Sequence, residues 1–188
     1  MILASASPRR KEILSRFTKD FQVVPANIKE NNTFGNPIQL VCALSFEKAY
    51  SLWEKYPNKI IIGSDTVVAL HGEVLGKPNS KKDAYEMLKK LSGKTHQVYT
   101  GYALLSYEKN IKVVNYSKCD VTFQHLEEEL INRYLKYDEY KDKAGAYGIQ
   151  GLAGIFVEKI HGDFETVVGF PIGAISLDLK KYFDIYLL

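Results

Sequence analysis

Residues 60–78 read IIIGSDTVVALHGEVLGKP, and this stretch indicates the fold. Three isoleucines form a short apolar run at its start, which is typical of a buried strand. Gly63 and Ser64 are expected to interrupt that strand, and a second apolar run resumes over residues 67–70. The sequence HGE at residues 71–73 then predicts a turn. The stretch therefore predicts a buried strand that leads into a hairpin.

Asp65 stands where the first apolar run is expected to end, and Lys77 follows one hairpin later. A carboxylate offers the oxygen ligands that Mg²⁺ and Mn²⁺ prefer, and a lysine ammonium can bind a phosphate. Together the two residues favour a site for a metal ion and a phosphate. The alternative is that Asp65 is a turn residue and that Lys77 is a solvated surface charge.

The N-terminal segment contains a second candidate for phosphate binding. Residues 2–4 predict a brief strand, and the sequence SASPRRKEIL of residues 5–14 predicts the start of a helix. Ser7 is a suitable N-cap, and the proline after it fits the first helical turn. Arg9 and Arg10 follow directly, where the positive end of the helix dipole disfavours cations. A bound anion would offset that cost, so the pattern favours a phosphate site; the alternative is that both arginines are solvated.

Length and composition bound the class of protein. The chain has 188 residues, which suits one well-buried domain over residues 1–188. This domain could consist of two lobes around a central cleft. An apolar fraction of 46% with 25% charged residues is typical of a soluble globular protein. The net charge of +3 is too small to indicate a nucleic-acid partner or an anionic membrane surface.

The two cysteines and the absence of long apolar runs suggest a cytoplasmic protein. Cys42 and Cys119 lie far apart in apolar surroundings, which predicts reduced core residues and no disulfide. No apolar run reaches the roughly 18 residues of a membrane span, and the first residues do not resemble a secretion signal.

The remaining segments alternate between helical and strand patterns. Apolar spacing and turn residues predict strands at residues 21–25, 97–107, 111–123, 155–160 and 166–168, and helices at residues 38–56, 81–91 and 126–137 and from residue 172 to 186. Such alternation with inserted hairpins predicts an α/β domain with a mixed β-sheet and flanking helices.

The segment DKAGAYGIQG at residues 142–151 predicts a loop with a binding role. Its three glycines mark places where the backbone turns sharply or approaches another group closely. Gln150 within it is a candidate for recognising a flat polar ligand. The alternative is a mobile surface loop, which Tyr147 and Ile149 disfavour.

Five motifs occur in order along the chain: SASPRRKEIL at residues 5–14, GSDTV at 63–67, GKP at 76–78, LSGKTHQVYT at 91–100 and DKAGAYGIQG at 142–151. In these motifs the sequence resembles the Maf family of nucleotide pyrophosphatases nearly from end to end. The resemblance implies an elongated α/β fold related to the inosine triphosphate pyrophosphatases, a homodimer, and a cytoplasmic location. It also implies a Mg²⁺ or Mn²⁺ cofactor and hydrolysis of a nucleoside triphosphate to the monophosphate and pyrophosphate.

The resemblance also implies roles for individual residues. Asp65 matches the family's catalytic position, where it would be the proton acceptor that activates water and a metal ligand. Glu30 matches a second acidic position that would share the metal, although the adjacent sequence NIK has fewer acids than relatives often carry. By local sequence alone, Glu30 would be an exposed loop residue and Lys48 part of a solvated helix face. The family's basic positions fall on Arg10, Lys48 and Lys77, and Ser7 precedes the arginine pair as in the family. Carboxylates, a divalent ion and several cations are what phosphoryl transfer requires.

Three positions separate the family branch that acts on dTTP and UTP from the branch that acts on 7-methyl-GTP, and here they are Arg9, Thr66 and Gln150. The guanine branch carries Glu in place of Gln150. A carboxamide can pair with the N3–H donor and adjacent carbonyl of uracil or thymine, whereas guanine's two adjacent donors suit a carboxylate. The resemblance therefore predicts a dTTP/UTP pyrophosphatase, which could also accept modified pyrimidine nucleotides. The alternatives are a regulatory binding protein that inhibits septum formation in cell division, and a pyrophosphatase for modified purine nucleotides.

Overall fold

One mixed β-sheet organises the computed structural model, which describes residues 1–29 and 35–188. Within those residues the sheet has seven strands, which are β1 (Ile2–Leu3), β2 (Gln22–Val23), β3 (Ile60–Leu70), β4 (Glu73–Leu75), β5 (Thr95–Ser106), β6 (Ile111–Phe123) and β7 (Val157–His161). The order is β2-β1-β3-β5-β6-β7, with β4 also paired to β3. Strand β1 is parallel to β2 and β3, and the other pairs are antiparallel. The predicted α/β class with a mixed sheet is confirmed.

Helices flank this sheet. The described residues form α1 (Pro8–Phe17), α2 (Pro37–Tyr50), α3 (Lys81–Leu91), α4 (Glu128–Tyr134), α5 (Phe164–Val168) and α6 (Ile172–Phe183), with short 3₁₀ turns at Ala144–Ala146 and Leu152–Phe156. The predicted helix after Ser80 begins as expected, because the Ser80 hydroxyl accepts a hydrogen bond from the N–H of Asp83 at 3.0 Å. Among the described residues, every helix is too short or too polar to cross a membrane.

Two glycines let helix α2 lie directly on the sheet. A Cβ atom added to Gly63 in β3 would lie 2.1 Å from the backbone oxygen of Ser45, and one added to Gly101 in β5 would lie 2.3 Å from that of Val41. The predicted interruption at Gly63 and Ser64 is therefore wrong: β3 continues through both residues, and the glycine serves close approach of another backbone. Consequently Asp65 lies in the interior of the strand and not at its end.

The strand predicted at residues 166–168 is also wrong, because these residues belong to helix α5. The Asp163 carboxylate accepts hydrogen bonds from the N–H groups of Glu165 and Thr166, and Gly169 ends the helix with a φ of +110°. β-Branched residues favour a strand in isolation, but caps at both ends stabilise one helical turn here.

Other boundaries shift by a few residues. The strand predicted to begin at residue 155 begins at Val157, because a 3₁₀ turn occupies the preceding residues. The helix predicted to reach residue 56 ends at Tyr50 and continues as turns. The hairpin of β5 and β6 is confirmed.

Three groups of buried apolar side chains connect the helices to the sheet. The first packs α3 and α4 against one end of the long strands, the second packs α1 and α6, and the third packs α2. Strand β3 contributes to all three through Val68, Ile62 and Ile61 respectively. Cys119 is buried, Cys42 is partly buried, and both are free, as predicted.

Candidate active site

A cavity of about 710 Å³ brings together the residues that the sequence singles out. Strand β3, the first turn of α1, helix α2, the segment after β4 and the glycine-rich loop at residues 142–151 all contribute to its lining. Eight of the nine predicted site residues line it, namely Ser7, Arg9, Arg10, Lys48, Asp65, Thr66, Lys77 and Gln150. The ninth, Glu30, lies outside the described residues.

An ion pair between Asp65 and Lys48 lies at the centre of the sheet wall. The Lys48 Nζ atom donates a hydrogen bond to Oδ1 of Asp65 at 2.5 Å. The side chain of Asp65 is 12% exposed and that of Lys48 is 14% exposed. Asp65 pairs with Gly101 in the β3–β5 ladder, so its side chain leaves the sheet on the face that α2 covers. The close approach of α2 at Gly101 therefore places the lysine of the helix beside the carboxylate of the strand.

Arg10 connects three segments of the chain by hydrogen bonds. Its Nε donates to the backbone oxygen of Gly169 at 2.9 Å, and its Nη1 donates to that of Ser64 at 2.8 Å. Its Nη2 donates to the hydroxyl of Thr66 at 3.2 Å, and Nη1 also contacts the hydroxyl of Ser5 at 3.3 Å. Arg10 thus fixes the start of α1 to β3 and to the end of α5. Its predicted contact with phosphate stays a prediction.

Arg9 and Ser7 lie beside Arg10 but are held differently. Ser7 occupies the N-cap position of α1 as predicted, although its side chain makes no capping hydrogen bond; instead its own N–H donates to the Ser5 hydroxyl at 3.2 Å. Arg9 is partly buried in the cavity wall, and within residues 1–29 and 35–188 its guanidinium has no hydrogen bond or ion pair. Its donors are therefore available to a ligand.

Thr66 contributes a hydroxyl that is already engaged within the protein. Its Oγ1 accepts the hydrogen bond from Arg10 and also lies 2.9 Å from Oγ1 of Thr100. A Cβ atom on Gly169 would lie 2.9 Å from the same oxygen, so this corner of the cavity is closely packed. Thr66 is therefore placed at the cavity wall with its hydroxyl bound to neighbouring side chains.

The glycine-rich loop forms another wall of the cavity, and two residues that sequence reasoning missed support it. The Glu139 carboxylate accepts a hydrogen bond from the N–H of Leu152 at 2.9 Å, and a Cβ atom on Gly151 would lie 2.3 Å from one of its oxygens. The Lys143 ammonium donates to the backbone oxygen of Glu139, and its alkyl chain packs against Gly148. Lys143 lies within a recognised motif, whereas Glu139 has no local signal that could have identified it.

Tyr147 connects the same loop to His96 and Phe123. Its hydroxyl lies 2.7 Å from Nε2 of His96, and both rings pack edge to face against Phe123. Burial lowers the pKa of His96 to about 4, although the nearby Asp120 charge opposes this, and burial raises the pKa of Tyr147. At neutral pH the pair is therefore uncharged, as a buried hydrogen bond requires.

Lys77 lies at the exposed edge of the cavity, after β4. The preceding residue, Gly76, accepts a backbone hydrogen bond from the N–H of Gly145 at 3.0 Å. This bond joins the segment that carries Lys77 to the glycine-rich loop, so Lys77 borders the cavity next to that loop.

The donor set fits a divalent ion that takes most of its ligands from the substrate and from water. Among the described residues, no three His, Cys, Asp or Glu side chains converge into a metal cluster. Asp65 nevertheless supplies a carboxylate at the cavity wall, and Mg²⁺ commonly binds through one or two carboxylates together with substrate phosphates and water. The predicted second ligand, Glu30, belongs to the residues that are not described.

A search of solved structures returned a match of low sequence identity. The Staphylococcus aureus Ham1 protein superposes with a TM-score of 0.49 at 10% sequence identity, over 65% of this chain and 70% of the Ham1 chain.

Similarity in sequence covers nearly the whole chain. The model of the Maf family, described as Maf-like protein, matches residues 1–182. A dTTP/UTP pyrophosphatase of Pyrococcus abyssi is 48% identical over 183 residues, which cover 97% of this chain and 96% of the relative. Another dTTP/UTP pyrophosphatase, from Clostridioides difficile, is 46% identical over 188 residues, or 100% of this chain and 97% of the relative. A third, from Thermococcus gammatolerans, is 49% identical over 171 residues, which cover 91% of this chain and 90% of the relative. With a family model that covers nearly its whole length and relatives at this level of identity, the chain belongs to the Maf family.

Proposed function

We propose that this protein hydrolyses dTTP and UTP to the nucleoside monophosphate and pyrophosphate. The observation that carries the proposal is the convergence of the Asp65–Lys48 pair and the Gln150 loop on one cavity of about 710 Å³. Cavities of roughly 300–1,000 Å³ are typical of small-molecule sites, so a nucleotide fits this one. The names of relatives that share 46–49% of the sequence support the same activity.

Asp65 is the proposed proton acceptor. The oxygen of a water molecule forms a bond to the α-phosphorus while the bond from that phosphorus to the bridging oxygen breaks, and pyrophosphate leaves. Asp65 accepts the proton that water loses, for which its carboxylate is suitably placed at the cavity wall. An ammonium has three donors, so Lys48 can orient this carboxylate and also donate to a phosphate oxygen.

Further residues of the site balance the charge of the substrate. Arg9 and Lys77 line the cavity as cations and are the proposed ligands of the triphosphate. Arg10 is proposed to add positive potential from within the wall that it holds together. Such charge stabilisation and positioning account for most of the catalysis of phosphoryl transfer.

A divalent cation, Mg²⁺ or Mn²⁺, is the proposed cofactor. Asp65 and Glu30 are its proposed protein ligands. When bound, the ion neutralises phosphate charge and polarises the phosphoryl group. The donor chemistry of Asp65 supports this assignment, because a carboxylate oxygen is a ligand that Mg²⁺ and Mn²⁺ prefer.

Gln150 is the proposed reader of the base. Its carboxamide offers one acceptor and two donors, which match the N3–H and a carbonyl of uracil or thymine. Gly148 and Gly151, on either side of it, let the loop pack tightly on Lys143 and Glu139, so the amide is presented from a supported backbone. A modified pyrimidine nucleotide that keeps this edge would be accepted too.

A homodimer in the cytoplasm, with one domain over residues 1–188, completes the proposal. The family resemblance implies the dimer and the location, and the small net charge of +3 supports a protein without a nucleic-acid partner. Sedimentation equilibrium would test the dimer, since a single species near the monomer mass of 21.3 kDa would contradict it.

The activity is tested by pyrophosphate release from a panel of nucleoside triphosphates with Mg²⁺, Mn²⁺ or a chelator. We expect turnover of dTTP and UTP, loss of turnover with the chelator, and a fall in kcat of about 10³-fold in Asp65→Asn. Asp138→Asn is the matched control, because Asp138 is an exposed aspartate whose ion pair with Lys141 lies outside the cavity. Absence of dTTP and UTP turnover, or equal loss in the control, would contradict the proposal.

Base recognition has its own test. Gln150→Glu should lower kcat/KM for UTP by about 10²-fold and shift preference toward 7-methyl-GTP, because the carboxylate leaves the uracil acceptor unpaired. An unchanged ratio of the two substrates in this variant would show that Gln150 does not read the base edge.

A further inference from the structure

Two partly buried cations of the cavity, Arg9 and Lys143, have no carboxylate partner among the described residues. Arg10 is bonded to backbone oxygens and hydroxyls, and Lys48 is paired with Asp65. Arg9 and Lys143 also line the cavity, yet within residues 1–29 and 35–188 neither is within 4.0 Å of an acidic side chain. Neither charge therefore forms a close ion pair with a carboxylate in the part of the protein that the structure describes.

The ammonium of Lys143 is held in place although it lacks an ion pair. It donates to the backbone oxygen of Glu139, and its alkyl chain packs on Gly148 so closely that a Cβ atom there would lie 2.7 Å from Cε. Placing a lysine in a partly buried position without a carboxylate costs free energy unless something else stabilises the charge. A fixed, partly buried cation in a ligand-sized cavity is a preformed donor for an anion.

Arg9 and Lys143 act on each other. Burial lowers the pKa of Lys143, and the positive charge of Arg9 lowers it further, while Glu139 and Asp142 oppose the shift. Mutual repulsion of this kind is relieved when an anion lies between the two cations. Since both face one cavity, the anion would bind where the N-terminal turn of α1 meets the glycine-rich loop.

We propose that Lys143 is a substrate-binding residue that, together with Arg9, holds the phosphate nearest to the nucleoside. The inference rests on the proposed function. Lys143 packs against Gly148, two residues from the base-reading Gln150, so it lies at the nucleoside end of the site. Lys77 lies at the exposed edge and is better placed for the outer phosphates.

Direct binding of UMP and of inorganic pyrophosphate distinguishes the two ends of the site. UMP carries only the phosphate next to the nucleoside, and pyrophosphate stands for the outer two. By titration calorimetry, Lys143→Met should weaken UMP binding by about 10- to 100-fold, as expected for loss of a charge-assisted hydrogen bond, and pyrophosphate binding by less than threefold. Lys143→Arg keeps the charge and should bind UMP within about threefold of the original protein.

Lys141→Met is the matched control. Lys141 is two residues away, exposed, and paired with Asp138, so its replacement should leave UMP binding unchanged. The experiment measures binding of UMP and not hydrolysis, so it tests Lys143 even if the protein hydrolyses no triphosphate. Loss of UMP binding in Lys143→Met without any turnover of dTTP or UTP would support this inference and contradict the proposed function. Equal UMP affinity in Lys143→Met, equal weakening in Lys141→Met, or no UMP binding by the original protein at millimolar concentration would each overturn the inference.

Discussion

The cavity has one wall made from the sheet and another made from a loop, and the two are held by different interactions. On the sheet wall, the position of Asp65 follows from backbone contacts of Gly101 with helix α2 and from the hydrogen bonds of Arg10. On the loop wall, Gln150 depends on side chains beneath it, chiefly Glu139 and the Tyr147–His96 pair. The difference predicts that loss of a supporting contact on the sheet wall mainly lowers stability, whereas loss of a supporting contact beneath the loop also raises KM for the nucleotide.

The largest effect is expected at the contact between the sheet and α2. Gly101→Val would place side-chain atoms where the backbone oxygen of Val41 now lies, 2.3 Å from the position of Cβ. We expect a loss of more than about 3 kcal/mol in the free energy of unfolding, measured by urea denaturation. Gly173→Ala is the control, because no atom lies within 4 Å of its added Cβ, and the helix should gain up to about 1 kcal/mol. Equal stability of the two variants would show that α2 does not rest on the sheet backbone.

A comparison of the adjacent residues Arg9 and Arg10 tests the sheet wall with a smaller expected loss of stability. Arg10→Met removes the donors that serve the backbone oxygens of Gly169 and Ser64, so the free energy of unfolding should fall by about 3 kcal/mol. Arg9→Met should change it by less than about 0.5 kcal/mol while raising KM for UTP. The division between stability and recognition would be contradicted if Arg9→Met were the less stable variant.

The support of the loop wall should depend on pH. The pKa of His96 is lowered to about 4 in the folded protein from an ordinary value of 6.5, so below pH 6.5 the unfolded chain takes up a proton that the folded protein does not. The stabilisation is complete above pH 6.5 and is lost as pH falls toward 4, by roughly 2–3 kcal/mol. Denaturation at pH 7, 5.5 and 4.5 should show a steeper fall for the original protein than for His96→Gln; parallel curves would contradict the assignment.

The smallest expected effect is at the hydroxyl that joins the loop to the sheet. Tyr147→Phe keeps the ring packing with Phe123 and removes only the hydrogen bond to His96, so it should cost about 1 kcal/mol of stability. If this bond positions the loop that carries Gln150, KM for UTP should rise about two- to threefold with kcat unchanged. A fall in kcat with constant KM would instead place the effect on the Asp65 wall.

Local sequence signals predicted most elements but not the contacts that shape the site. The hairpin of β5 and β6 and the capped start of α3 follow from patterns within a few residues of themselves. Gly63 was expected to interrupt β3, because nothing nearby in the sequence shows that α2 lies against it. The helix at residues 164–168 was missed for a related reason, since its β-branched residues outweighed the cap at Asp163.

The site shows the same limit. Asp65, Arg9 and Gln150 lie in recognisable motifs, and the cavity brings them together. Lys48 looks like an ordinary surface residue of a helix unless the family resemblance is considered, because its partner is 17 positions further along the chain. Glu139 supports the loop through a single oxygen on the N–H of Leu152, a contact that no local pattern encodes. Its role becomes visible only when the loop is folded.

The contact of α2 with Gly63 and Gly101 bears on how this protein can change over evolutionary time. Since the helix rests on the sheet through backbone atoms, the spacing of Lys48 and Asp65 does not depend on the size of any core side chain between them. Exchanges among apolar residues elsewhere in the core can therefore accumulate without changing the distance between Lys48 and Asp65. The same contact limits change at this point: a lineage that needs a wider gap between α2 and the sheet must first replace a glycine, and that step is costly.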